Sequence, residues 1–319
     1  MATILVTHGV PSEGFSLLQG HTVIIPAPLT SFTDEQLAAY MPMADAIVAG
    51  GRLTGDLIRK GRKLKIIANY GAGYDSVDIQ TAAECGVPVT NLPDAVAEST
   101  AELAFGLMLA VSRKIGESTI RMHSEAPEGQ FGMGRNMGRN LCGQTLGILG
   151  CGKIGQRLAE MASAFGMHVV GFSRHGVHHP CIESVTREEL LTCSDIVSLH
   201  CPLTDDTRGM VGREALFAMK RGAILINTAR GGLVDEEALA EAIRCGQLSG
   251  AGLDVYPDEP HVPECLRALT NVVMTPHIGA NTEEVRRRMA EECARQIQDA
   301  LAGRQPEHVV NGISTPISL

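Results

Sequence analysis

Thr145-Leu-Gly-Ile-Leu-Gly-Cys-Gly-Lys-Ile-Gly155 is the stretch on which the fold turns. Its apolar start reads as a buried strand, Thr145–Gly150. The strand runs into Gly150-x-Gly152-x-x-Gly155, and an amphipathic helix, Ile154–Phe165, follows at once. Glycines at these places permit a tight turn and let a pyrophosphate approach the backbone. The helix start adds unpaired N–H groups and a positive dipole end. Alone, such a triplet also occurs in plain turns. Between a strand and a helix it predicts dinucleotide binding by Gly150, Gly152, Lys153, Ile154 and Gly155.

The next strand, His168–Phe172, leads into Ser173-Arg174. A site selective for NAD carries Asp or Glu about 20 residues after the glycines, to hold the ribose hydroxyls. A carboxylate repels a 2′-phosphate, whereas a hydroxyl and a guanidinium bind one. Ser173 and Arg174 therefore predict NADP as the preferred cofactor. The alternative is NAD, with Arg174 stacked on the adenine.

Working outward, short apolar runs alternate with helical stretches on both sides of the loop. Upstream strands are expected at Ile4–Thr7, Thr22–Ile25, Ala46–Val48, Ile66–Asn69 and Pro88–Thr90, with helices at Asp34–Tyr40 and Ser76–Cys85. Downstream strands are expected at Ile196–His200, Ala223–Asn227, Gly250–Val255 and Val272–Thr275. Helices fall at Arg187–Leu191, Arg213–Ala218, Asp235–Gly246 and Thr282–Gly303, and Gly166, Gly222 and Gly246 are read as helix C-caps. This rhythm predicts an α/β protein with two Rossmann-like parallel sheets. The first unit runs to about Pro93–Glu98, and the second opens with a helix at Ser99–Ser112. Ser118–Asn140, rich in Gly, Met and Arg, reads as an exposed loop or as an arm for a partner.

Composition bounds the partners. A chain of 319 residues suggests two domains. The net charge of -9 argues against nucleic acid and anionic membranes. Nine cysteines without a Cys-x-x-Cys pair suit reduced thiols and a cytoplasmic location. The start, Met1–His8, reads as a buried strand rather than a signal peptide. Leu103–Ser112 is too short to span a bilayer. His175, His178, His179 and Cys181 match no zinc spacing, so no metal is expected. Cys151 beside a helix start is either oxidation-sensitive or a small filler.

Three later segments each place a polar residue just after a buried strand. They are Ile224-Leu-Ile-Asn-Thr-Ala-Arg-Gly-Gly232, Ala251-Gly-Leu-Asp-Val-Tyr-Pro-Asp-Glu259 and Val273-Met-Thr-Pro-His-Ile-Gly279. In an open parallel sheet the strand C-termini border the ligand crevice. Arg230, Glu259 and His277 are thus expected to meet there. Singly, each also fits a plainer role: a strand cap, a solvated turn residue, a helix-entry histidine. Together they suit reduction of a 2-keto acid. His277 supplies the proton, Glu259 favours the imidazolium and orients the ring, and Arg230 forks the substrate carboxylate.

With these segments in view, the chain resembles the D-isomer-specific 2-hydroxyacid dehydrogenase family, in particular its glyoxylate/hydroxypyruvate reductase branch. The resemblance rests on Asn69-Tyr-Gly-Ala-Gly-Tyr-Asp75, the glycine loop, His200-Cys-Pro-Leu203, Asn227-Thr-Ala-Arg-Gly231, Gly252-Leu-Asp-Val255 and Thr275-Pro-His-Ile-Gly279. It implies a flavodoxin-like substrate domain (1–98, with 284–319 returning to it) and an inserted dinucleotide-binding domain (99–283). It implies substrate contacts from Tyr70, Gly71, Ala72, Gly73 and Arg230. It also implies cofactor contacts from Thr100, Cys201, Pro202, Thr207, Thr228, Ala229, Arg230, Asp254, His277 and Gly279, support of the histidine by Asp254, and a homodimer joined by the arm after Ser118. The substrate loop Asn69–Tyr74 holds no Arg or Lys, which argues against a phosphorylated acid, as does the lack of a C-terminal regulatory domain. The family's formate dehydrogenases pair the histidine with Gln, so Glu259 argues against that branch. Glyoxylate or hydroxypyruvate, reduced with NADPH, is the first expectation and a bulkier 2-keto acid the second. A non-catalytic NAD(H)-responsive binder, like the corepressors of this fold, is the rival from another class.

Overall fold

The computed structural model describes residues 1–11, 13–123 and 127–314. The chain divides into two compact units, Met1–Val96 together with the chain from Ala280 onward, and Ala97–Gly279. The expected arm falls partly outside the described residues, at 124–126, and the expected C-terminal return does so from 315.

In the first unit, β1 (Thr3–Val6), β2 (Thr22–Ile24), α1 (Asp34–Tyr40), β3 (Ala46–Ala49), α2 (Gly55–Lys60), β4 (Ile66–Asn69), α3 (Ile79–Glu84) and β5 (Val89–Thr90) follow in order. The strands form a parallel sheet ordered β2-β1-β3-β4-β5. Successive side chains of a strand point to opposite faces. Ile4, Val6, Ala46, Val48, Ile66 and Ala68 accordingly pack in one core, while Leu5, Ile47, Ala49 and Ile67 pack in another. Burial on both faces explains why these strands read as unbroken apolar runs.

The second unit opens with α4 (Ala97–Ser112) and α5 (Ile115–Met122). There follow β6 (Thr145–Leu149), α6 (Lys153–Ala164), β7 (His168–Phe172), β8 (Glu183–Ser184), α7 (Arg187–Cys193), β9 (Ile196–Leu199), α8 (Arg213–Ala218), β10 (Ala223–Asn227), α9 (Glu236–Arg244), β11 (Leu248–Leu253), α10 (Glu264–Arg267) and β12 (Val272–Met274). The sheet is parallel, ordered β12-β11-β10-β9-β6-β7-β8. The strand order reverses beside β6, the place where ligands seat in doubly wound sheets. Leu146, Ile148, Ile196, Ile224 and Ile226 face α4 and α6. Leu149, Val197, Leu199 and Leu225 face α7, α8 and α9. The last helix, α11 (Glu283–Leu301), belongs to the first unit, where Met289, Cys293 and Ile297 join the core of Ile4 and Val48.

One local expectation needs correction, and two helices add to the reading. Gly222 is not a helix C-cap: α8 ends at Ala218, and Gly222 (φ 80°) turns the chain into β10. The segment after Ser118 is not all irregular, because α5 carries the helix to Met122 with Arg121 bonded to Glu117 at 3.1 Å. Helix α2 was not anticipated; Thr54 precedes it and Leu57 and Ile58 bury its inner face, but six residues are too few to show a period. Among the described residues, no helix is long and apolar enough to cross a membrane.

Candidate active site

The glycine loop follows β6 directly. Gly150 has φ 101°, and a Cβ there would lie 2.5 Å from Cys201 N and 2.6 Å from His200 C. Only glycine fits a positive φ with backbone pressed this close. A Cβ on Gly155 would meet Gly150 O at 2.4 Å, so the helix start rests on the turn itself. Gly152 caps α6 without a side chain, and a Cβ on it would meet nothing within 4 Å. The first-turn amides of α6 thus border open space, a cradle that fits a dinucleotide pyrophosphate. Cys151 lies buried beneath the turn, and burial pushes its thiol up to about 11. It is protonated at neutral pH and packs as a small filler.

Beyond β7, Ser173 leads into Arg174, whose Nη1 lies 3.1 Å from Asp206 Oδ2, with both side chains more than half exposed. In the turn after β9, Thr207 Oγ1 donates to Pro202 O at 2.7 Å and accepts from Thr204 N at 2.8 Å. The Thr207 hydroxyl therefore shapes the turn rather than reaching outward. Burial holds His200 down at about 4, so its ring is neutral, and Nε2 shares a 2.8 Å hydrogen bond with Ser198 Oγ. Its Nδ1 and the Thr228 hydroxyl are buried with no partner among the described residues.

Arg230 stands on a turn that Asn227 builds at the end of β10. Asn227 Nδ2 donates to Arg230 O at 2.8 Å, and Asn227 Oδ1 accepts from Ala229 N at 3.1 Å. Gly231 then presses flat on the segment carrying Glu259: a Cβ there would lie 2.0 Å from Tyr256 C and 2.2 Å from Pro257 N. Glu259 is held at both oxygens. Oε1 accepts from Tyr256 N at 3.0 Å, and Oε2 lies 2.7 Å from His277 Nδ1. His277 itself sits in the left-handed region, φ 54°, which a histidine adopts only under constraint. Buried Asp254 supplies it. Its Oδ1 accepts from Thr275 Oγ1 at 2.6 Å and Ile278 N at 2.8 Å, its Oδ2 from Gly279 N at 2.9 Å, and its carbonyl from His277 N at 2.8 Å. The Asp254 carboxylate is thus engaged by the histidine turn, and Gly279 backs onto buried Thr100. A cavity of ≈ 320 Å³ opens beside the pair, lined in part by Tyr256, Glu259, Val262, Met274 and His277.

Glu236, at the start of α9, adds a titrating group near Tyr256. Burial first, then the charges of Glu237 and Asp235, push its carboxyl up to about 7. Protons are bound more tightly in the folded chain than in the unfolded one, so stability falls as pH rises from the ordinary carboxylate range through about 7. Glu236→Gln is expected to raise Tm at pH 8 and leave it nearly unchanged at pH 4. An equal effect at both pH values would refute this.

In the first unit, the loop after β4 is folded on itself. Asn69 Nδ2 donates to Gly71 O and Gly73 O, each at 2.9 Å, and Asn91 Nδ2 to Ala72 O at 2.7 Å. The Gly71 amide donates to Asn69 O at 2.9 Å, which leaves the Ala72 and Gly73 amides as the loop's candidates for an anion. Tyr70 is buried, its hydroxyl donating to Arg286 O at 2.6 Å, so its side chain secures the loop to α11.

Residues 105–279 match the model described as D-isomer specific 2-hydroxyacid dehydrogenase, NAD binding domain. A D-3-phosphoglycerate dehydrogenase of Methanocaldococcus jannaschii is 39% identical over 99% of this chain, which spans 60% of that relative's length. A hydroxypyruvate reductase of Thermotoga maritima is 43% identical, over 82% of this chain and 87% of its own. The crystal structure of an NADPH-dependent glyoxylate/hydroxypyruvate reductase from Sinorhizobium meliloti, with NADP and malonate, is 28% identical. It superposes with a TM-score of 0.85 over 100% of this chain and 99% of its own. The glycine cradle, the parallel sheets and these likenesses agree: the chain belongs to the D-isomer specific 2-hydroxyacid dehydrogenase family of NAD(P)-dependent oxidoreductases.

Proposed function

We propose that the protein reduces a small unphosphorylated 2-keto acid, glyoxylate or hydroxypyruvate, with NADPH. The observation that carries the chemistry is the 2.7 Å contact between His277 Nδ1 and Glu259 Oε2. A carboxylate on Nδ1 leaves Nε2 to give a proton to the substrate carbonyl oxygen. The cofactor, when bound, would supply a hydride for the carbonyl carbon. Glu259 orients the ring, and Arg230 forks the substrate carboxylate against the polarised carbonyl. Gly150, Gly152, Lys153, Ile154 and Gly155 cradle the pyrophosphate. Thr100, Cys201, Pro202, Thr207, Thr228, Ala229, Asp254 and Gly279 border the rest of the cofactor, mainly through backbone and packing.

The NADPH assignment is supported by Ser173 and Arg174 and by the NADP in the Sinorhizobium structure. The exposed Arg174–Asp206 pair is worth only about 0–1 kcal/mol, so a phosphate dianion displaces Asp206 easily. A second reading, a phosphorylated hydroxy acid, is favoured by the likeness to the phosphoglycerate dehydrogenase. It is opposed by a loop, Asn69–Tyr74, without a cation. Exposed Ile120, Met122, Phe131, Met133 and Met137 lie in the segment read as the dimer arm, and support a homodimer.

The test is a panel of 2-keto acids with NADPH and with NADH, followed by loss of reduced-cofactor absorbance. Glyoxylate or hydroxypyruvate with NADPH is expected to give the largest kcat/KM. A larger value for phosphohydroxypyruvate overturns the substrate assignment. No turnover with any acid favours the non-catalytic binder. Light scattering on the same sample should give twice the chain mass; a monomer sinks the dimer.

A further inference from the structure

We propose that Arg187 is a second cation for the cofactor's 2′-phosphate and so helps to select NADPH over NADH; this rests on the NADPH reading above. The motif after β7 offers Arg174 alone, and Asp206 already balances that charge at 3.1 Å. A dianionic phosphate that displaces Asp206 there meets one guanidinium. The structure places another where the motif does not reach. Arg187, the first residue of α7, lines a single cavity of ≈ 600 Å³ with Phe172 and Ser173.

Both cations also act on one partly buried neighbour. The Cys201 thiol is raised by burial, and the charges of both Arg174 and Arg187 pull it back down. Arg187 shares a cavity wall with Ser173, the residue before Arg174, so both cations flank the end of β7, where the adenosine ribose of a dinucleotide is expected. The head of Arg187 is tethered, Nη2 donating to Met210 O, while its Nε is buried and has no partner among the described residues. Two acids share the cavity wall. Glu189 is drawn into the cap of α7, accepting from Thr186 N and Thr186 Oγ1, each at 2.9 Å, and Glu188 stands beside it. With Asp206, Glu188 and Glu189 nearby, Arg174 alone leaves the surroundings acidic. A phosphomonoester, with three acceptor oxygens and about two charges, is matched by two planar guanidiniums.

The experiment is titration of reduced-nicotinamide fluorescence with NADPH and NADH, on the wild type and on the Arg187→Gln, Arg187→Lys and Arg174→Gln variants. Arg187→Gln is expected to weaken NADPH at least ~10-fold, the size of one lost charge-assisted contact, and NADH less than about twofold. Arg187→Lys, which keeps the charge but loses the fork, should fall between. If Arg187 only braces the Met210 turn, Arg187→Gln weakens both cofactors alike, and that result overturns the proposal. A preference lost in Arg174→Gln but intact in Arg187→Gln also overturns it while leaving the NADPH reading standing. A wild type that binds NADH as tightly as NADPH defeats both.

Discussion

Replacing His277 with alanine is expected to lower kcat by about 10²–10⁴-fold, the contribution of a positioned general acid, while NADPH binding changes less than about threefold. The separation follows from where the histidine is held. Asp254 fixes the turn through Thr275 Oγ1, Ile278 N and Gly279 N, and through its carbonyl to His277 N. None of these bonds uses the imidazole. Alanine therefore removes the proton donor and leaves the turn in place, at a modest cost for a non-glycine residue with φ near 54°. The ring is half exposed, so its loss opens no core cavity. Glu259 keeps its bond from Tyr256 N and loses only the ring. Stopped-flow turnover and cofactor titration on one preparation check this. A kcat within tenfold of wild type removes His277 from the chemistry. A parallel collapse of NADPH affinity shows that the turn, not the acid, was lost.

The same residues show what a sequence can and cannot disclose. The central strands of both units were legible because they are buried on two faces: Ala46–Ala49, Ile66–Asn69 and Ala223–Asn227 leave no polar alternation to blur them. Glu183–Ser184 was not legible, being two exposed residues whose strand character comes only from pairing with Val170 and Gly171. Helix α5 was obscured because Ile115, Ile120 and Met122 face outward and report no core. In the site, Arg230, Glu259 and His277 stood out as polar residues just after apolar strands. Of what holds them, only the support of His277 by Asp254 was implied, by the family resemblance, and its detailed bonds were not. The bond from Tyr256 N to Glu259, the left-handed His277 and the multiple bonds received by Asp254 join residues up to 25 positions apart, and no local pattern encodes them. Arg187 was missed for the same reason, standing an element beyond the motif that names Arg174.

Gly231→Ala is expected to damage fold and catalysis together, although position 231 has no functional group. Its Cβ would lie 2.0 Å from Tyr256 C, 2.2 Å from Pro257 N and 2.4 Å from Tyr256 Cα. All three are backbone atoms, so no rotamer change relieves the contact. One of the two turns must move. The first carries Arg230 and the second carries Glu259 to His277. Overpacking of this kind costs about 1–3 kcal/mol. A displacement near 1 Å between a substrate clamp and a proton donor costs about 10²-fold in rate. The neighbouring glycine provides the control. A Cβ on Gly232 would meet only side-chain atoms, Leu203 Cδ2 at 3.1 Å, Leu203 Cδ1 at 3.3 Å and Arg208 Nη1 at 3.4 Å. These ends can shift, so Gly232→Ala is expected to cost less than about 1 kcal/mol and to keep most activity. Thermal unfolding and kcat/KM of the two variants side by side test the argument. If Gly231→Ala unfolds and turns over like Gly232→Ala, the two turns are not braced against each other, and the Arg230 side of the site is set by something else.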